Sequence, residues 1–226
     1  MEEIGGNLGM KLIRTSAIFA LLLGTVPLVS GCVSVLPKPG NSPIVVPLRA
    51  PNVVARAQTQ APFSISVGLP VMPHALAGVE VTALQDDGSI AYVEGVKFAS
   101  PAPIGIQSII LGTFDKAVAF RASVRTGSTA KADFELALDV NVFEVTMPQR
   151  REAGTAKIEA TARLIDIATH RPLATRIFTS TVPAPSGDAN QPALALELAT
   201  QNMAVEIMTW AQSTGRAFSE TRLQAQ

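Results

Sequence analysis

Of the 226 residues only one is cysteine, Cys32, and only two are histidine, His74 and His170. A lone cysteine rules out a disulfide within the chain. Each histidine sits beside turn residues, with no His-Glu-x-x-His motif or comparable ligand spacing, so no metal site is expected. Asp86-Asp87-Gly88 lacks the remaining oxygen ligands and closing glutamate of a calcium loop. No Gly-x-Ser-x-Gly elbow surrounds Ser186, and no Gly-x-x-x-x-Gly-Lys loop could cradle a phosphate. The acidic Asp133, Glu135 and Asp139 share one strand face, the usual mark of a solvated surface. Together these absences argue against an enzyme and against any cofactor beyond a covalent lipid. Charge of one sign is also missing: 18 Lys and Arg balance 18 Asp and Glu. Without a basic excess, nucleic-acid binding and electrostatic adhesion to a membrane are both disfavoured. Tyr92 and Trp210 are the sole Tyr and Trp, expected as core or interface anchors rather than substrate binders.

What is present begins at the N-terminus. Lys11 and Arg14 precede an apolar run from Thr15 to Val29. That run is shorter than the roughly 20 residues a membrane span needs, and behind a basic segment it has the form of an export signal. Leu28-Val29-Ser30-Gly31-Cys32 follows, small residues leading to the single cysteine. This is the pattern of a lipobox, with cleavage between Gly31 and Cys32 and diacylglycerol plus an N-acyl chain on Cys32. Residues 1–31 are therefore assigned to a lipoprotein signal peptide. Residues 32–60, with Pro37, Pro39, Pro43, Pro47 and Pro51, are expected to be a tether with little to bury. Val33, rather than Asp, after the cysteine favours the periplasmic face of the outer membrane. Removing the signal costs two residues of each charge sign, so the mature chain stays balanced. Residues 61–226 suffice for a single domain with its own core.

Within that domain the predicted class is α+β: a mixed, mostly antiparallel sheet containing a three-strand meander, covered by one central and one C-terminal helix. Short strands are predicted at Phe63–Leu69, Val79–Leu84, Ile90–Val93 and Ala117–Ala122. Between the last two, Ile106, Ile109, Ile110 and Phe114 give residues 104–115 a helical apolar face. From Ala132, apolar residues alternate through Phe134, Leu136, Leu138, Val140 and Val142, and then the phase slips to Phe143 and Val145. A slip by one residue would turn the wrong side chains inward, so a β-bulge is predicted near Val142–Phe143. Thr155–Ile167 and Leu173–Val182 complete the meander. The last helix is predicted at Gln191–Ser213 and carries two apolar stripes. Leu196, Ala199, Met203, Ile207 and Trp210 form one; Leu194, Leu198, Val205 and Met208 form the other. One stripe should cover the sheet. The second needs a neighbouring helix, another subunit or a partner. Leu198 and Val205 from this stripe, with Met203 and Trp210 from the other, are the candidate interface residues.

The order of these segments resembles the ABC-type transport auxiliary lipoprotein family. The resemblance rests on Cys32 and its Pro-rich sequel, Ser89-Ile90-Ala91-Tyr92, Val96-Lys97-Phe98-Ala99-Ser100-Pro101, the strand from Ala132, and Ala160-Thr161-Ala162-Arg163-Leu164-Ile165-Asp166. It continues through Pro172–Phe178, Val182–Asp188 and Met208-Thr209-Trp210. The family often has Trp where Phe98 stands, and Thr-Gly where Thr169-His170 stands. The resemblance implies a docking component at the outer membrane. Its expected partners are a mammalian-cell-entry-domain protein and the ABC permease and ATPase of a lipid transport system, with a homo-oligomer as a further possibility. Two alternatives come from other classes. One is a carrier that holds lipid itself. The other is an envelope assembly lipoprotein, similar to factors supporting lipopolysaccharide transport or cell-wall synthases.

Overall fold

The described residues fold as an eight-stranded sheet with two long helices against one face. A computed structural model describes residues 42–146 and 154–224. The signal segment, Gly31, Cys32, Val33 and the start of the expected tether lie outside the described residues. The strands are β1 (Ile44–Val46), β2 (Ala61–Val67), β3 (Glu80–Leu84), β4 (Ile90–Phe98), β5 (Phe120–Arg125), β6 (Phe134–Thr146), β7 (Gly154–Asp166) and β8 (Arg171–Ala184). The helices are α1 (Ala102–Ala117) and α2 (Gln191–Gln224).

Strand β6 is the hub. β7 pairs along its whole length, while β2 and β3 share its other edge, β2 at Phe134–Leu136 and β3 at Val145–Thr146. β5 extends the sheet beyond β2, and β4 and β1 extend it beyond β3. The class is α+β as expected, but the sheet is evenly mixed rather than mostly antiparallel. β1–β4, β2–β5, β2–β6 and β3–β6 are parallel pairs. Alternation in a sequence reports which face is buried and says nothing about strand direction, and parallel partners are joined only through long crossovers.

The meander β6–β7–β8 is antiparallel throughout. Its predicted slip lies between Val140, opposite Ala160, and Val142, opposite Glu159. Asn141 is the extra residue, and past it Phe143 and Val145 turn into the core. On the helix-facing side of β7, Ala156, Ile158, Ala160, Ala162 and Leu164 are all fully buried. Three alanines in that row leave room for α2, which packs over β7 and β8. On the far side an Arg163–Asp139 pair and a Lys157–Glu159 pair at 3.0 Å remain partly solvated.

Helix α1 presents Ile106, Ile109, Ile110 and Phe114, all without solvent exposure. It ends at Val118, whose φ of 53° is left-handed, with Ala119 N–H donating to Phe114 O at 3.0 Å. β5 therefore starts at Phe120, three residues later than predicted. Helix α2 runs eleven residues past its predicted end. Gly215 sits mid-helix, where a Cβ would collide with the Phe63 ring. One turn on, Phe218 packs edge-on to Phe134, with ring centroids 6.0 Å apart.

Candidate docking surface on the helical layer

The two stripes of α2 have different fates. Leu196, Ala199, Met203 and Ile207 are completely buried, so the first stripe covers the sheet. Trp210, at its end, is partly buried and meets Phe178 of β8 edge-on at 5.6 Å. Met203 was expected at an interface and is instead core; it belongs to the sheet-facing stripe and cannot touch a partner. Trp210 is committed to β8. In the second stripe Met208 is buried, whereas Leu194, Leu198 and Val205 are 38, 46 and 38% exposed. Of the four candidate interface residues, then, only Leu198 and Val205 lie open on one surface.

Much of what covers the second stripe is a segment the sequence suggested would be free. Residues 42–60 were expected to belong to the tether, yet they are built into the fold. Ile44–Val46 adds a parallel strand to β4, and Val46 and Leu48 are buried. Residues 47–60 then form a strap across the outer side of the helices. Two glycines seven residues apart on α1 make its seat. A Cβ on Gly105 would lie 2.5 Å from Leu48 Cδ1, and one on Gly112 would lie 2.6 Å from Ala50 Cβ. Proline prevents helix here but does not prevent burial, which is why the tether expectation fails from Ser42 onward.

Side chains of the helices hold the strap by its backbone. Arg49 N–H donates to Glu197 Oε1 at 2.9 Å, and Gln201 Nε2 donates to Arg49 O at 2.7 Å. Lys116 Nζ donates to Pro51 O at 2.6 Å, and Arg216 donates to Thr59 O at 2.5 Å. Near the end, Ala57 N–H donates to Ala117 O at 3.0 Å, and Ala61 N–H donates to Ala119 O at 2.9 Å. Partial burial raises the Glu197 carboxyl above its ordinary value of 4.5, offset in part by the Arg49 N–H bond and the Arg49 charge. Between the strap and the second half of α2 an open groove of about 600 Å³ remains, lined by Val53, Val54, Val205 and Met208 with Arg56 and Arg216 beside it.

Sequence reasoning passed over these strap contacts. Their visible signals were the Gly105–Gly112 pair on one helical face and the apolar Val46 and Leu48 among prolines. His74 opens a short 3-10 turn, and His170 lies in the β7–β8 turn with a φ of 55°. That value is left-handed, where a glycine would carry no steric cost. Asp166 braces the turn, accepting from Ala168 N–H at 3.1 Å and Thr169 Oγ1 at 2.8 Å. Among the described residues there is no group of three His, Cys, Asp or Glu placed to hold a metal ion, and no helix long and apolar enough to cross a membrane.

The model of the ABC-type transport auxiliary lipoprotein component family matches residues 47–208. The chain belongs to this family. The matched span opens at the strap and takes in every strand from β2 to β8. A solved structure of a Xanthomonas campestris protein of the DUF330 family is similar, with a TM-score of 0.70 at 23% identity, covering 78% of this chain and 98% of that one. An uncharacterized protein of known structure is similar at a TM-score of 0.57 and 13% identity, covering 74% of this chain and 97% of that one. At such identities these two structures speak for the fold alone. No curated protein matches the sequence.

Proposed function

We propose that this auxiliary lipoprotein is held by acyl chains on Cys32 at the periplasmic face of the outer membrane. There it serves as a docking component for an ABC-type lipid transport system containing a mammalian-cell-entry-domain protein. Membership of the transport auxiliary family is the observation that carries this reading. The lipobox ending at Cys32 and the absence of a catalytic constellation in the sequence agree with it. In this role the domain is a binding partner rather than a catalyst, and a homo-oligomer is compatible with it. Docking to the periplasmic partner uses the half of α2 around Val205 and the adjoining strap, where apolar side chains stay open to solvent. Co-purification from detergent-solubilised envelopes tests the assignment. Recovery of a mammalian-cell-entry protein or a permease subunit is expected, and its loss in a Val205→Glu variant would map the contact. Recovery of neither subunit from intact complexes would reject the proposal.

A second reading is favoured by the groove beside Met208: the domain itself holds a lipid chain there, with Arg56 and Arg216 near the headgroup. Native mass spectrometry of the Cys32→Ser form separates the two. A bound lipid mass supports the carrier, and a clean protein mass dismisses it.

A further inference from the structure

The described chain starts at Ser42, two residues before Ile44, which pairs with Val96 of β4. The neighbouring Gly95 faces the loop that leads into α2: a Cβ on it would lie 3.9 Å from Ala189 Cβ. The point where the segment from Cys32 joins the fold is therefore at the N-terminal end of α2. Four aliphatic side chains are open on the three elements that start at this end of the fold. They are Ile44 on β1, Ile104 in the first turn of α1, and Leu194 and Leu198 one turn apart on α2, each between 38 and 47% exposed. The strap ties them into one neighbourhood, since Leu48 rests on Gly105 beside Ile104 and Arg49 N–H bonds Glu197 beside Leu198.

Length decides what can cover this rim. Nine residues lie between Cys32 and Ser42, and the ten steps from one to the other reach at most about 35 Å. The 34 residues of α2 extend about 51 Å. A lipid on Cys32 therefore keeps the start of α2 within reach of the bilayer, while the end of the helix can stand clear of it. We propose that Ile44, Ile104, Leu194 and Leu198 form a second, non-covalent membrane contact that seats on the same lipid surface as the Cys32 acyl chains. The covalent lipid supplies the anchoring, and the rim sets the orientation, pointing the Val205 half of α2 into the periplasm. This rests on the acylation of Cys32 argued above.

Full-length acylated protein in vesicles of phosphatidylethanolamine and phosphatidylglycerol provides the test. The mass of the peptide containing Cys32 is measured first. Lack of acyl mass overturns the anchoring reading and takes this proposal with it. Leu194→Trp and Leu198→Trp are then made separately in a Trp210→Phe background, each kept only if its thermal transition stays cooperative. The control is Ile177→Trp on the bare sheet face, where Ile177 is opposite Thr161. Lipids brominated in the acyl chain should quench the probe at position 194 or 198 at least twofold while leaving the one at 177 unchanged. Equal fluorescence at all three positions in acylated, vesicle-bound protein overturns the rim contact. So does concentration-dependent shielding at 194 without lipid, which would assign the rim to a second copy of the chain.

Discussion

The β6–β7–β8 meander and the strap of residues 47–60 both lie against α2, but they are secured by different chemistry. The meander holds itself: its strands satisfy each other's backbone groups in long ladders, and one alternating face is buried whole. The strap has no ladder of its own beyond β1. It depends on two missing side chains, at Gly105 and Gly112, and on Glu197, Gln201, Lys116 and Arg216 reaching its carbonyls and amides. A cooperative sheet and a strip stitched down point by point should fail differently. The meander should unfold with the whole domain, whereas the strap can lift alone.

The largest expected effect is in the meander. Leu138 is almost fully buried on β6, and Leu138→Ala should cost about 2–5 kcal/mol. Chemical denaturation should show the loss in the single global transition, with amides of β6, β7 and β8 losing protection together. If only the local strand weakened, the picture of one cooperative sheet would be wrong.

A smaller and local effect is expected at the strap. Gly105→Leu places a side chain where Leu48 lies and should cost about 1–3 kcal/mol. Hydrogen exchange should accelerate at Ala57 and Ala61 while β7 is unaffected. Combined with Leu48→Ala, which vacates the same space, the loss should be less than additive. Additivity would mean that the two residues do not share a seat.

That contrast also explains what the sequence disclosed. Alternation at Leu136, Leu138 and Val140 followed by the phase change at Phe143 located the bulge to within a residue or two, because a buried face leaves a period in the sequence. The sheet-facing stripe of α2 was legible for the same reason, though a helix with two apolar stripes does not say which one faces in, and Met203 was misplaced on that account. The strap leaves no period. Its burial depends on glycines more than 50 residues away, and its hydrogen bonds are donated or accepted by its backbone, which carries no residue-specific mark. Gly215 carries no readable mark either: glycine at a helix end and glycine under an aromatic ring look identical until Phe63 is placed.

Two left-handed turn positions yield gains instead of losses. Val118, β-branched and partly exposed, has a φ of 53°, and His170 has a φ of 55°. Glycine removes the steric cost at the expense of chain entropy in the unfolded state. Val118→Gly should therefore stabilise by about 0.5–1 kcal/mol and His170→Gly by about half as much. Thermal melts of the two single variants should both move upward, Val118→Gly further. A downward shift at His170 would show that its side chain, and not its backbone angle, matters to the turn.

The smallest effect probes the stitching itself. Burial raises the Glu197 carboxyl above its ordinary value of 4.5, so the folded state binds this proton more tightly than the unfolded chain does. Stability linked to the group is then full below pH 4.5 and declines as pH rises through the raised value. Glu197→Gln keeps an acceptor for Arg49 N–H and abolishes the titration. Subtracting the variant's stability-against-pH curve from the parent's should leave a downward step that begins at pH 4.5 and ends above the raised value. Asp115, also raised by burial, titrates in both proteins and cancels in the subtraction. Exchange at Arg49 should follow the same step, because the ionised carboxylate is stabilised by solvent as well as by the strap. A step of opposite sign would show that the charged form of Glu197 clamps the strap more firmly than the neutral form, the Arg49 N–H bond and the Arg49 charge together outweighing the desolvation.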